Sequence, residues 1–257
     1  MIKKGVLAVI LIFFLEEIAY SENSKIADIL KKDFKYIAKT GFKRENIKYI
    51  AGFGFFLLGS FLSDNGIHVE KHEDTAPKKI SDVTNNFGDK RILFPSTLSL
   101  ALLGKLTKNK KLFEASLTAF ESLIISGLLC SGIQFIVGRK RPCETGYVLK
   151  FKPFRGLFRW KYSSFPSGHV TDAWAAFTPY AIYYHQPLLY LIPLSVNFAR
   201  VIKNKHWFSD TVMGAGIGFS IGYLLSKSHL SQFNISKNWK ISLTPCSISI
   251  VYNLPNL

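Results

Sequence analysis

The chain is 257 residues long, 48% hydrophobic and 19% charged, with a formal net charge of +16. That length suits one large domain or two small ones, and a mean hydropathy of +0.16 is high for a soluble enzyme yet mild for a protein made only of membrane spans. The basic residues lie between apolar runs and no nucleic-acid module is recognisable, so the expected anionic partner is a lipid headgroup phosphate and nucleic acid is set aside.

In chain order, Lys3 and Lys4 precede an apolar stretch, Val6 to Leu15, and Ala19-Tyr20-Ser21 supplies the small residues of a cleavage site. Residues 1–21 therefore read as a signal peptide, with an N-terminal anchor as the alternative. Residues 22–46 form a basic polar segment. The apolar run Ile47 to Ser63 follows, then a polar stretch from Asp64 to Lys90. Within it His68, Glu70, His72 and Glu73 suit a solvated loop better than a metal site, because nothing constrains their geometry.

Ile92 to Leu106 is the next apolar run and closes on Lys108, Lys110 and Lys111. Phe113 to Val137 reads as a long helix. Thr171 to Tyr184 and Leu188 to Ile202 are two more, parted by His185-Gln186-Pro187. Trp207 to Leu225 is the last, and its Gly214, Gly216, Gly218 and Gly222 permit close helix approach. Residues 47–228 thus form the expected bundle. No run holds about 20 uninterrupted apolar residues, so each span is short. Residues 229–257 form a tail in which Ser247-Ile248-Ser249-Ile250 alternates, predicting a pair of short strands around Thr244-Pro245. The cysteines Cys130, Cys143 and Cys246 are odd in number and lack metal-ligand spacing, so neither a disulfide framework nor a metal site is expected.

Three segments carry chemistry. Gly138-Arg139-Lys140-Arg141-Pro142 ends a long apolar helix. Phe165-Pro166-Ser167-Gly168-His169 precedes another, where free backbone N–H groups suit an anion. Arg200, His206 and Asp210 form the third, with His206 and Asp210 four residues apart, hence on one face of a helix. Each alone is an ordinary helix stop, helix cap or surface ion pair. All three sit at helix ends, however, and can meet at one end of a bundle. Together they make a phosphate site. Arg141 and Arg200 offer bidentate guanidinium groups, Ser167 and the Gly168 amide add donors, and two histidines divide nucleophile and acid between them. No carboxylate cluster asks for magnesium, so neither metal nor cofactor is expected.

The three segments resemble the signature of the type 2 phosphatidic acid phosphatase and vanadium haloperoxidase superfamily. That signature is Lys, six residues, Arg-Pro; then Pro-Ser-Gly-His; then Ser-Arg, five residues, His, three residues, Asp. The likeness covers roughly residues 90–226. It implies an all-α bundle of about five or six helices, embedded in a membrane. It also implies that His206 is the phosphorylated nucleophile, oriented by Asp210. His169 would protonate the leaving alkoxide and then activate water. Arg141, Ser167, Gly168 and Arg200 would hold the phosphoryl group. Two positions depart from the pattern: Gln134 replaces the lysine and Ala199 the serine before Arg200. Gln134 lies seven residues before Arg141, two helical turns away, and is expected to face the same way with an uncharged donor.

The reaction so implied is metal-independent hydrolysis of a lipid phosphate or diphosphate through a phosphohistidine. The aromatic and basic residues from Phe151 to Lys161 fit a headgroup boundary or a solvated rim about equally. The basic stretches 31–48 and 105–111 fall on one side of the spans. The positive-inside rule then turns the active site of a bacterial-type cell membrane protein to the periplasm or exterior. A cleaved signal would invert that count. A soluble periplasmic acid phosphatase, a vanadate-dependent haloperoxidase and a non-catalytic lipid-phosphate-binding membrane protein remain as alternatives.

Overall fold

A computed structural model describes residues 32–33, 35–41, 43–67, 76–156, 158–244 and 247–252. The signal or anchor at residues 1–21 and the group His68, Glu70, His72 and Glu73 lie outside the described residues. The chain divides into two compact units, Met1–Phe42 and Lys43–Leu257. In the first, residues 35–41 are helical. The second carries everything below.

Among the described residues of this unit seven α-helices follow one another: α1 (Ile47–Ser63), α2 (Ala76–Thr84), α3 (Lys90–Leu106), α4 (Lys110–Val137), α5 (Gly168–Tyr184), α6 (Leu191–Ile202) and α7 (Phe208–Asn238). The all-α expectation holds, with one helix more than the five or six anticipated. The extra one, α2, lies in the stretch read as a polar loop and runs on into a 3-10 turn at Asn85–Gly88. It forms because α6 gives it a surface to pack on, which a polar composition does not reveal. α7 runs ten residues beyond the expected end of the bundle at 228. It leads into an antiparallel hairpin, β1 (Trp239–Thr244) paired with β2 (Ser247–Tyr252), with Ile241 opposite Ile250, as the alternation in the tail predicts.

Helix ends are set by identifiable residues. Asp89 caps α3 by accepting from the Arg91 amide, and Asn109 caps α4 by accepting from Leu112. α4 stops because Gly138 adopts a left-handed conformation, φ 59°. A Cβ there would stand 1.8 Å from the Lys152 carbonyl oxygen, so only glycine fits where the next loop folds back.

α5 is the axis of the bundle, packed against α4, α6 and α7. Its inward positions are small: Val170, Ala173, Ala175 and Ala176 are buried, beside Leu93, Leu123 and Val196. Opposite them Gly214, Gly218 and Gly222 repeat every four residues along α7. A Cβ on Gly218 would stand 2.3 Å from the Thr171 carbonyl oxygen. The two backbones therefore approach closely, and this fixes the register of the N-termini of α5 and α7.

The outside is greasy. On α1, Phe55 is 80% and Leu62 85% exposed. Among the described residues two helical segments are long and apolar enough to cross a membrane, Arg44–Ser63 and Lys110–Val137. The other expected spans are helical but fall short of that length or hydropathy.

Candidate active site

The C-termini of α1, α4 and α6 meet the N-termini of α3, α5 and α7. At their centre is Arg139, fully buried. Its Nη2 donates to Asp64 Oδ2 at 2.8 Å and its Nη1 to Asp210 Oδ1 at 2.7 Å. Nη1 also donates to Ser209 Oγ, and Nε and Nη2 to the Val148 carbonyl. Phe61 and Trp207 lie over the guanidinium at 4.8 Å and 5.4 Å from their ring centroids. One buried cation thus ties the end of α1, the loop after α4 and the start of α7. Asp64 also accepts from the Ser209 amide and hydroxyl. The second oxygen of Asp210 accepts from Ser164 Oγ and, at 2.9 Å, from the Trp207 amide.

His206 rests on this scaffold. Its Nδ1 lies 2.8 Å from the Ser164 carbonyl oxygen and 3.6 Å from Asp210 Oδ2. The direct partner of Nδ1 is therefore the Ser164 carbonyl, and Asp210 acts mainly by holding Ser164 and Trp207 around the ring. His206 does not share a helix face with Asp210, because α7 begins only at Phe208. The carboxylate instead reaches back to the Trp207 amide, as in a capping box. Nε2 lies 2.9 Å from Arg141 Nη1. A guanidinium only donates, so Nε2 must accept and Nδ1 must carry the proton. Burial, with Arg141 and Arg200 nearby, holds His206 well below its ordinary pKa. The ring is neutral, with the lone pair on Nε2.

A cavity of about 540 Å³ opens at this end, lined in part by Gln134, Arg141, Gly168, His169, Asp172 and Arg200. Arg141 lies between it and His206. All five guanidinium hydrogens of Arg141 have partners, on Trp160, Ser163, Lys205 and His206. Arg200 differs: Nη1 donates to Asn85 Oδ1 at 2.6 Å, while its buried Nε has no partner among the described residues. Ser167 Oγ is likewise buried without one, although Ser167 stands at the N-cap of α5. Two orphaned donors beside a cavity at a helix N-terminus suit an anion. Burial lowers Arg141 to about 10, so it stays cationic at pH 7. Burial, then Arg200, lowers His169 to about 4, while Asp89 works the other way.

Gln134 is at the site, but not by sharing a helix with Arg141, since α4 ends at Val137. Its Nε2 donates to the Pro166 carbonyl at 2.8 Å, which braces the turn that presents Ser167 and His169. The aromatic and basic loop folds over the end of α4. Phe154 and Phe158 pack edge-on against Phe135 while remaining largely exposed. Trp160 stacks on Arg141 at 4.4 Å. All eight residues singled out in the sequence thus fall at one end of the bundle. Asp64, Asn85 and Ser164 join them unannounced, as does the structural role of Arg139. Each of these four residues meets a side chain at least 42 positions away, which no local pattern reveals.

Residues 115–233 match the PAP2 superfamily. The chain is 27% identical to the lipid A 1-phosphatase of Rhizobium etli over 158 residues, 56% of this chain and 67% of that protein. It is 26% identical to the lipid A 1-phosphatase of Rhizobium johnstonii over 156 residues, 55% of this chain and 63% of that protein. A shorter match, 31% over 68 residues, links it to the lipid A 1-phosphatase of Porphyromonas gingivalis, covering 24% of this chain and 15% of that protein. The chain spans about two thirds of the length of the two Rhizobium proteins. No solved structure matches it.

Arg139→Gln leaves Asp64 and Asp210 buried without a cation and is expected to lower the unfolding free energy by about 3–5 kcal/mol. Lys140→Gln, one residue on, should change it by less than about 0.5 kcal/mol. Thermal or denaturant unfolding in detergent checks both; equal effects would remove Arg139 from the centre of the site.

Proposed function

We propose that this PAP2-superfamily protein is a membrane-embedded lipid phosphatase, metal-independent, that works through a phosphohistidine on His206. The observation that carries the reading is the state of the His206 ring: neutral, buried, Nδ1–H held by the Ser164 carbonyl, Nε2 bearing the lone pair. Asp210 and Arg139 stiffen that arrangement from behind. The names of the curated relatives make lipid A 1-phosphate the foremost candidate substrate, with other lipid phosphates and diphosphates behind it.

Phosphate enters the cavity beside Arg200 Nε and Ser167 Oγ. Arg141 gives up its contact with Nε2 for a phosphoryl oxygen, which uncovers the nucleophile. Nε2 then forms the P–N bond as the P–O bond to the lipid breaks, and the lipid oxygen takes a proton through His169. In the second step His169 takes a proton from water, water oxygen bonds to phosphorus, and the P–N bond breaks with its electron pair returning to Nε2. Three equatorial oxygens are met by two guanidinium groups, a hydroxyl and the N-terminus of α5. The protein thus supplies the positive charge that a divalent ion supplies elsewhere.

Membrane embedding is supported by the exposed apolar surface of α1 and by the two segments of spanning length. The site lies at the C-terminus of α1 and the N-terminus of α3. The basic turn with Lys105, Lys108, Lys110 and Lys111 therefore lies at the other end of α3. The positive-inside rule then favours a site facing the periplasm or exterior.

Phosphate release from lipid A and other lipid phosphates, in detergent with EDTA, tests the reading. Wild type should turn over, and His206→Ala and His169→Ala should each lose at least about 100-fold. An inert wild type, or activity surviving His206→Ala, would favour a lipid-phosphate-binding protein or another nucleophile.

Acidity provides a second test. Both histidines are neutral in the free protein at pH 7, so the proton for the leaving oxygen arrives with the substrate monoanion and His169 relays it. Phosphate monoesters lose that proton near pH 6. The quantity kcat/KM should therefore rise about tenfold per unit as pH falls from about 8 to 6, then level off. A kcat/KM that declines from pH 7 to 5 would contradict this assignment.

A further inference from the structure

Asp172 has no part in the steps above, yet it faces the same cavity. It lies on α5 three residues after His169, so the two side chains share a helix face, with Cβ atoms about 5–6 Å apart. Lys90 of α3 and Gly127 and Ser131 of α4 line the cavity beside it. Oδ1 would stand 3.9 Å from a Cβ placed on Gly127, so the absence of a side chain there leaves room over the carboxylate.

The other buried acidic groups at this end are engaged. Asp64 and Asp210 hold Arg139, and Asp89 holds Arg91. Asp172 is only 8% exposed and makes no hydrogen bond or ion pair among the described residues. A near-buried carboxylate without donors costs stability, and it also stands close to where an anionic phosphate binds. Such a group is tolerated where a ligand brings the missing donor.

We propose that Asp172 is the specificity-determining acceptor for the leaving group. The inference rests on the phosphatase reading above. His169 protonates the oxygen that departs from phosphorus, so the atoms attached to that oxygen continue along α5 toward Asp172. There the carboxylate accepts a hydrogen bond from a hydroxyl or amide N–H a few bonds from the scissile P–O bond. The class so selected is a phosphorylated sugar or polyol lipid. A phosphorylated prenol or diacylglycerol offers no donor at that distance. Sites built to hydrogen-bond a substrate group discriminate strongly against analogues that lack it, because the site's own polar group is left unpaired.

The test compares kcat and KM for a glucosaminyl-1-phosphate lipid with those for farnesyl phosphate and p-nitrophenyl phosphate, in wild type, Asp172→Leu and Asp172→Asn. In Asp172→Leu the ratio of kcat/KM, sugar lipid over donor-free substrates, should fall about 10- to 100-fold. Its Tm should hold or rise, because leucine fills similar space without an unpaired charge. Asp172→Asn keeps one acceptor oxygen and should restore part of the ratio. An unmoved ratio overturns the proposal, as does an equal loss on all substrates with a lower Tm, which would make Asp172 structural. A wild type that hydrolyses none of them fails the phosphatase reading first and takes this inference with it. A wild type that hydrolyses them with an unmoved ratio in Asp172→Leu sinks the Asp172 role alone.

Discussion

One buried guanidinium, that of Arg139, is the constraint on which the site depends. Removed from water, it needs negative charge on two sides, and it draws Asp64 from the end of α1 and Asp210 from the start of α7. Once Asp210 is fixed, its second oxygen holds the Trp207 amide and the Ser164 hydroxyl. The Ser164 carbonyl then fixes His206. His206 is thus placed by a chain of contacts, Asp64 to Arg139 to Asp210 to Ser164 to His206, whose members come from four separate stretches of sequence.

Three arginines divide the cationic work. Arg139 never meets the cavity and holds structure. Arg141 lies against His206 with every hydrogen engaged, so it can cover Nε2 until an anion offers a better partner. Arg200 keeps one buried N–H unspent beside Ser167. This division gives Gln134 a different meaning from a lost cation. It braces the Pro166 carbonyl, a task for a neutral donor, while the positive charge around the cavity comes from Arg141 and Arg200. Ala199, the second departure, is buried to 1% exposure in the bundle.

Much of this was legible in the sequence. Gly138 and the Pro-Ser-Gly-His turn mark helix ends, and their spacing with Arg200, His206 and Asp210 placed all three motifs at one end of a bundle. The alternation from Ser247 to Ile250 pointed to the terminal hairpin. Other features were hidden for physical reasons. α2 is polar and owes its helix to the surface of α6. His206 was placed on a helix by its spacing from Asp210, but the capping contact at Trp207 starts that helix two residues later. Asp64 and Ser164 look like any loop acid and loop hydroxyl until a cation 75 residues away and an imidazole 42 residues away reach them. Arg139 stands two residues before Arg141 in the same motif, and nothing in the sequence marks it as the one that is buried completely.

The most direct measurement is to mix protein with a lipid phosphate, quench within milliseconds in alkali, and map the phosphorylated residue by mass spectrometry. Alkali preserves a phosphoramidate, whereas acid cleaves it. The account predicts one acid-labile phosphate, on His206, that forms and decays fast enough to carry turnover. Phosphate on another residue, or steady hydrolysis with no covalent intermediate on His206, would contradict it.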